Sequence, residues 1–160
     1  MKKGFLACAL AVVSLTSMAE APGYGHYDVK LLKDGHEIFV GDTSLNTPVP
    51  LLYRDGHEVS EVACTHSSGM KSMKAEQRFI GVAVRVARRA DDPRQAEVEI
   101  EDTHLLSMDK SSDGDCASLT AKTDGLPNTK LSVRLPVENE TVNVPVSGGR
   151  YSLEITHRTD

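Results

Sequence analysis

Apolar and polar residues alternate along most of the chain from about residue 27 onward. Every second side chain of an extended strand points to the same face, so this pattern is typical of β-strands with one buried face. No long stretch repeats with the period of a helix. We therefore predict an all-β fold, either an antiparallel sandwich or a partly open barrel of about 8–10 short strands. The clearest alternating stretches are 27–31, 36–40, 79–88, 96–101, 130–135 and 151–156.

Two Asp-Gly pairs mark predicted hairpin turns. Asp34-Gly35 follows the first alternating stretch, and Asp55-Gly56 follows the apolar residues 49–53. Asp-Gly between two such stretches favours a tight turn, because both positions of the turn need a positive φ. Each pair therefore predicts a β-hairpin.

Three polar stretches predict interruptions between strands. Residues 65–77 predict a loop with one helical turn near 71–77. Residues 108–115, rich in Asp, Ser and Gly, predict a second loop, and 125–128 predict a break. Gly, Pro, Asn, Asp and Ser favour turns because they accept turn dihedrals or hydrogen-bond their own backbone.

A row of acidic residues marks one predicted strand. Glu97, Glu99 and Glu101 alternate with apolar residues, so they share one face. If the strands 79–88 and 96–101 form a hairpin, these acids lie across from Arg85. Cross-strand ion pairs help to specify register, although surface pairs are individually weak. We interpret the row as a solvated face rather than as a pair of catalytic carboxylates.

The beginning of the chain has the layout of a secretory signal peptide. A cationic start is followed by an apolar run over 5–15 and by small residues at Ser17 and Ala19. This three-part order predicts a signal peptide over 1–19. The apolar run is shorter than the roughly 20 residues that a membrane-spanning helix needs.

Cleavage after Ala19 leaves residues 20–160, a length that suits one β domain with its own core. Cleavage after Ala21 is the alternative, but it would place Pro22 beside the cut bond. The whole chain has a formal net charge of −5. Removal of the signal takes Lys2 and Lys3 away and makes the remaining chain more negative. A surface of that sign repels phosphate backbones, so we expect no nucleic-acid partner. We also expect no stable membrane span after cleavage, because no second apolar run exists.

The cysteines predict a disulfide. A signal peptide directs the chain to the periplasm or the exterior of a Gram-negative bacterium, where thiols are oxidised. Cys8 leaves with the signal, so that Cys64 and Cys116 remain and most simply pair. A bridge between them closes a long loop and contributes about 4 kcal/mol on the chain-entropy model.

The segment that begins at Cys64 also suggests a metal site. His66, Met70 and Met73 follow within ten residues, and soft ligands of this kind suit copper. The order Cys, His, Met resembles the ligand loop of blue-copper proteins. The Cys64–His66 spacing is shorter than in that family, and a disulfide would occupy the thiolate. A copper site of His66, Met70 and Met73 alone is therefore the alternative; otherwise we expect no cofactor.

No spacing of residues suggests catalysis. The chain has no Gly-x-Ser-x-Gly motif, and the segment 57–61 lacks the second histidine of a zinc-protease helix. We therefore predict that the protein is not an enzyme. The histidines outside the metal hypothesis are interpreted as surface strand residues: His26, His36, His57, His104 and His157.

Four segments of the second half follow one another as in a known family: 81–86, 96–101, 126–133 and 140–149. Their order resembles the β-repeat of bacterial secretins, the outer-membrane channels of secretion and pilus systems. The chain departs from that family in its short length and in Glu138-Asn139-Glu140, which replaces the usual Asp-Gly turn. The resemblance implies a periplasmic accessory of envelope machinery and not a pore.

Three functions remain open at this point. The leading prediction is a non-enzymatic binding or assembly accessory that recognises an envelope protein of a secretion or pilus system. The alternatives are a periplasmic copper-binding protein and a secreted hydrolase inhibitor. For the first, a strand edge or loops would recognise the partner. The predicted edges are 36–40 and the strand of Val142, Val144 and Val146, because Pro145 favours an edge position.

Overall fold

The computed structural model describes residues 25–45, 49–67 and 69–159. The predicted signal peptide, 1–19, lies outside these residues. Within them the chain forms eight antiparallel strands and one short 3-10 turn, Ser147–Gly149, so the predicted antiparallel all-β fold is confirmed. The strands are β1 His26–Lys33, β2 His36–Thr43, β3 Leu51–Ser67, β4 Met70–Arg88, β5 Gln95–Asp113, β6 Cys116–Arg134, β7 Thr141–Val146 and β8 Tyr151–Arg158.

The strands form two sheets of four. The first sheet has the order β2-β1-β8-β7, and the second has the order β3-β4-β5-β6. Apolar side chains from the inner faces of both sheets share one core, as alternation predicts. The most deeply buried members are Val29, Leu31, Val86, Ala96, Val98, Ile100, Leu153 and Ile155.

His157 belongs to the inner face of β8 and is not a surface residue, so that prediction was wrong. It continues the alternation of Tyr151, Leu153 and Ile155, and it is 2% exposed. Its ring stacks on Tyr27 with centroids 4.4 Å apart. The position of His157 in the alternation of β8 therefore decides its burial, although histidine is a polar residue.

The first predicted hairpin is confirmed and the second is wrong. β1 and β2 join through Asp34-Gly35, where both residues have a positive φ. Asp55-Gly56, by contrast, lies inside β3, which pairs with β4 from Leu51 to Ser67 without a turn. Asp-Gly therefore marks a close approach of two strands here.

The predicted loops at 65–77 and 108–115 are also wrong, and so is the break at 125–128. Residues 70–77 form the first part of β4, residues 108–113 end β5, and 125–128 lie within β6. Among the described residues of these stretches, the chain turns at Gly69 and at Gly114-Asp115. Most described side chains of 65–77 and 108–115 are exposed on both faces, so these stretches lack the alternation that distinguishes a strand from a loop. In 125–128, by contrast, Leu126 is buried, and a register shift between β5 and β6 accommodates Pro127 and Asn128 within the strand. Four of the strands are consequently much longer than expected.

A row of small residues crosses the second sheet at one level. Gly56 pairs with Gly81, Gly81 with Thr103, and Thr103 with Gly125. A Cβ on Gly81 would collide with the Asp55 carbonyl oxygen, and a Cβ on Gly125 would collide with that of Asp102. Only glycine permits this approach, and Gly125 also has φ +101. We call this row the waist.

The waist divides the second sheet into two parts. On one side lies the body, which contains the sandwich; there β4 pairs with β5 over 81–88 and 96–103. On the other side lie two hairpins, 57–80 and 104–124, which we call the arm. In the arm the strand pairing changes. β4 no longer pairs with β5, and β3 pairs with β6 at Val62 and Leu119. At about 3.3 Å per residue, eleven residues of strand give the arm a length of about 35 Å.

Candidate functional site

The two hairpins of the arm are joined by the predicted disulfide, which is confirmed. Cys64 on β3 bonds to Cys116 on β6, with their Cα atoms 5.5 Å apart. Cys116 begins β6, so the bridge lies close to the end of the arm that is farthest from the body. The bond keeps the two hairpins together where few apolar side chains are buried.

A buried carboxylate gives a second connection between the hairpins. Glu61 on β3 is 9% exposed and accepts a hydrogen bond from the Ala121 backbone N–H at 2.7 Å. The Arg78 guanidinium donates to the same carboxylate at 2.9 Å. Hydrogen bonds to a charged acceptor are the stronger kind. Glu61 therefore ties β3 to both β4 and β6.

Two further hydrogen bonds lie on either side of the disulfide. The Cys64 backbone N–H donates to Ser118 Oγ at 2.9 Å. The Lys71 ammonium group donates to the Asp115 carbonyl oxygen at 2.5 Å. With the disulfide and Glu61, these bonds connect the two hairpins of the arm, most of whose residues are exposed.

The arm exposes large apolar side chains. Met70 is 73% exposed and Met73 is 63% exposed, and both lie on β4 near the far end. Leu106, on β5 nearer the waist, is also exposed. Methionine is flexible and polarizable, and exposed methionines are frequent on protein-binding surfaces. A rigid arm that exposes them is a candidate contact surface.

The residues of the predicted copper site are only partly brought together. Cys64 pairs with Met73, His66 with Lys71, and Ser67 with Met70. Residues directly opposite each other share a face, so His66 and Met73 lie on one face of the hairpin and Met70 lies on the other. The His66 ring Nε2 is 3.4 Å from an Asp115 carboxylate oxygen. Among the described residues, no three His, Cys, Asp or Glu side chains form a group that could hold a metal ion.

Both predicted partner edges lie at edges of the first sheet. β7 is at one end of that sheet and β2 is at the other. Val146 lies within the core, and Val142 and Val144 are partly buried against it. The backbone of β7 is what this edge offers, and Pro145 removes one N–H donor from it.

A polar cluster that the sequence did not reveal joins the two sheets beside the waist. Asp102 on β5 is 1% exposed. Its carboxylate accepts hydrogen bonds from the Lys33 ammonium group at 2.8 Å and from the Tyr151 hydroxyl at 2.9 Å. His104 Nε2 lies 3.1 Å from the other carboxylate oxygen and 2.9 Å from Lys33 Nζ.

The electrostatics of this cluster favour the ion pair. Burial alone would raise the pKa of the Asp102 carboxyl, but the hydrogen bonds from Lys33 and Tyr151 outweigh it and lower the pKa. The hydrogen bond to Asp102 raises the pKa of Lys33. Burial raises the pKa of the Tyr151 hydroxyl. These shifts favour the charged Lys33–Asp102 pair, which links the two sheets.

The outer face of the second sheet carries the predicted row of acids. Arg85 pairs with Glu99 across β4 and β5, as expected, with Arg85 Nη1 3.4 Å from a carboxylate oxygen. Lys130 on β6 approaches the same carboxylate at 3.1 Å. Beside them a groove of about 270 Å³ runs across the four strands; its walls include Leu52, Arg54, Ala83, Glu101 and Asn128.

No family model, curated protein or solved structure matches the chain. Within the part of the chain that the structure describes, no helix has the length and apolar character needed to cross a membrane.

Proposed function

We propose that the protein is an exported, non-enzymatic binding protein that recognises a partner protein through its arm. The observation that carries this proposal is the exposure of Met70 and Met73 on a hairpin that is cross-linked to its neighbour. Both side chains are mostly exposed, yet the strand that bears them is held by the Cys64–Cys116 disulfide and its neighbouring hydrogen bonds.

Rigidity favours binding because a preorganised surface loses little conformational entropy when the partner arrives. An arm of this length buries few of its own residues, so its packing alone gives little reason for its size. Because Met70 and Met73 lie on opposite faces of the hairpin, a partner that encloses its end would bury both side chains and the strand backbone between them. Such a surface can be hydrophobic at its centre and polar at its rim, as Lys71 and Lys74 provide here.

The partner class follows from the predicted export signal and from the resemblance to secretins. We infer an envelope protein of a secretion or pilus system as the partner, reached in the periplasm after cleavage of 1–19. A disulfide is compatible with that oxidising compartment. The backbone edge of β7 is a second surface through which an extended segment of a partner could add to the sheet.

Site-specific crosslinking from the arm tests this proposal. A photoreactive residue is placed at Met73 in cells that export the protein, and the crosslinked partner is identified and purified. We expect Met70→Ser/Met73→Ser to weaken binding of the purified partner at least tenfold, because two buried methionines would be lost.

Val137 provides the matched control, since it is an exposed apolar residue outside the arm. Val137→Ser should leave the affinity unchanged. Equal crosslinking from Val137 and Met73, or an unchanged affinity of the Met70→Ser/Met73→Ser protein, would contradict the proposal. A hydrolase as the captured partner would favour the inhibitor alternative instead.

A further inference from the structure

The groove on the outer face of the body is a second site, and we propose that it receives the basic side chain of a partner polypeptide. It lies on a different surface from the arm, and the inference does not depend on the function proposed for the arm. In this site Glu101 would bind the charged end of the side chain, and Leu52 and Ala83 would contact its stem.

The volume of the groove selects a small occupant. Pockets for drug-sized ligands and cofactors usually have about 300–1,000 Å³, and this groove has about 270 Å³. It is also open along one side. A single extended side chain therefore fits it better than a whole cofactor does.

The charge of the occupant follows from Glu101. Its carboxylate has no hydrogen bond from any described residue, although a carboxylate can accept about four. The neighbouring acid in the row, Glu99, is satisfied by Arg85 at 3.4 Å and Lys130 at 3.1 Å. Glu101 is therefore the groove's unfilled acceptor, and a cationic donor complements it.

The nearby arginines are already engaged elsewhere. Arg54 forms an ion pair with Glu58 at 2.9 Å, and its guanidinium carbon lies 4.3 Å from the centroid of the Phe79 ring. Arg78 forms its pair with Glu61 in the arm at 2.9 Å. Each would have to give up a contact in order to reach Glu101. Partial burial raises the pKa of Glu101 against the opposing effect of Arg54 and Arg78.

The apolar walls suit the stem of a basic side chain. Leu52 is 67% exposed, and it lies with Ala83 along the groove that leads to Glu101. Lysine and arginine bury their methylene stems on apolar surface and keep the charged end at a polar group. An ammonium group can thus reach Glu101 while its stem covers Leu52.

Titration with a short peptide, followed by two-dimensional NMR, tests the site on the full folded chain. The probe is the capped pentapeptide Ala-Val-Lys-Val-Ala, and the comparison peptide has norleucine in place of lysine. We expect the lysine peptide to shift the amide signals around Ala83 and Glu101. The norleucine peptide, which has the same stem without the charge, should bind about tenfold more weakly.

Glu101→Gln and Glu97→Gln form a matched pair of variants. Both residues lie on the same face of β5, but Glu97 does not line the groove. Glu101→Gln should weaken binding of the lysine peptide about tenfold, and Glu97→Gln should leave it unchanged. Equal binding by the Glu101→Gln protein, or equal binding of the norleucine peptide, would overturn the inference. If butylamine alone bound as tightly as the lysine peptide, a polypeptide would not be the occupant.

Discussion

Gly56 and Gly81 face each other across β3 and β4, and a Cβ on either one would collide with the backbone of the other strand. They form the waist together with Thr103 and Gly125. The second sheet can pass from the body into the arm only because the strands approach so closely there.

Substitution of Gly81 should therefore destabilise the whole molecule. In Gly81→Ala the new Cβ meets the Asp55 carbonyl oxygen and the Gly56 Cα, and backbone atoms cannot move aside as a flexible side chain can. We expect a loss of about 2–4 kcal/mol in the free energy of unfolding, measured by urea denaturation.

Gly114→Ala is the control for this substitution. Gly114 also has a positive φ, but it lies at the turn between β5 and β6, where an added Cβ would have no atom within 4 Å. Strain alone should cost about 1 kcal/mol there. Equal losses in the two variants would show that close packing at the waist is not the cause.

The disulfide should stabilise the arm more than the body. The bridge spans 52 residues, and its removal in Cys64→Ser/Cys116→Ser should cost about 4 kcal/mol on the chain-entropy model. Hydrogen exchange should then accelerate more at the amides of position 64 and Ala121 than in the core of the body. A reductant should reproduce this change in the wild-type protein and have no effect on the double variant. Uniform acceleration over both parts would contradict a local role.

Asp102 should make stability depend on pH in the acidic range. Its pKa in the folded state lies below the unfolded value of about 3.9. Its contribution is therefore complete above about pH 4 and is lost as the pH falls through the folded pKa. Asp102→Asn should cost about 2 kcal/mol at pH 7, because Lys33 and Tyr151 lose a charged acceptor.

Thermal denaturation of both proteins from pH 7 down to pH 2 measures this difference. We expect the gap between wild type and Asp102→Asn to narrow as the pH falls. Asp124→Asn, at an exposed position of β6, should show no such gap. A constant gap at all pH values would indicate that packing and not the ion pair is lost.

The sequence predicts those parts of the fold in which one face is buried. The β1–β2 hairpin, the facing of Arg85 and Glu99, and the pairing of Cys64 with Cys116 are all confirmed. In the arm most side chains of both faces are exposed, so burial imposes little alternation, and the polar strands there have the composition of loops. The link between Lys33 and Asp102 joins residues 69 positions apart. No local pattern encodes a contact that depends on how two sheets stack.

Glu101, next to Asp102 on β5, should respond to pH in the opposite sense. Its side chain lies on the other face of the strand, and burial raises its pKa in the folded state. Its stabilising contribution is therefore complete below the unfolded pKa of about 4.3 and is lost as the pH rises through the folded value. Glu101→Gln should consequently raise the melting temperature at pH 7 and leave it unchanged at pH 3.

Glu97→Gln, at the exposed position four residues earlier, should change the melting temperature at neither pH. A lower melting temperature of Glu101→Gln at pH 7 would mean that a cation within the protein already stabilises the carboxylate. The groove would then have no unfilled acceptor for a basic side chain. The opposite result is a Glu101→Gln protein with a higher melting temperature and a lower affinity for the lysine peptide. Glu101 would then destabilise the fold and contribute to binding, as expected of a residue whose role is recognition.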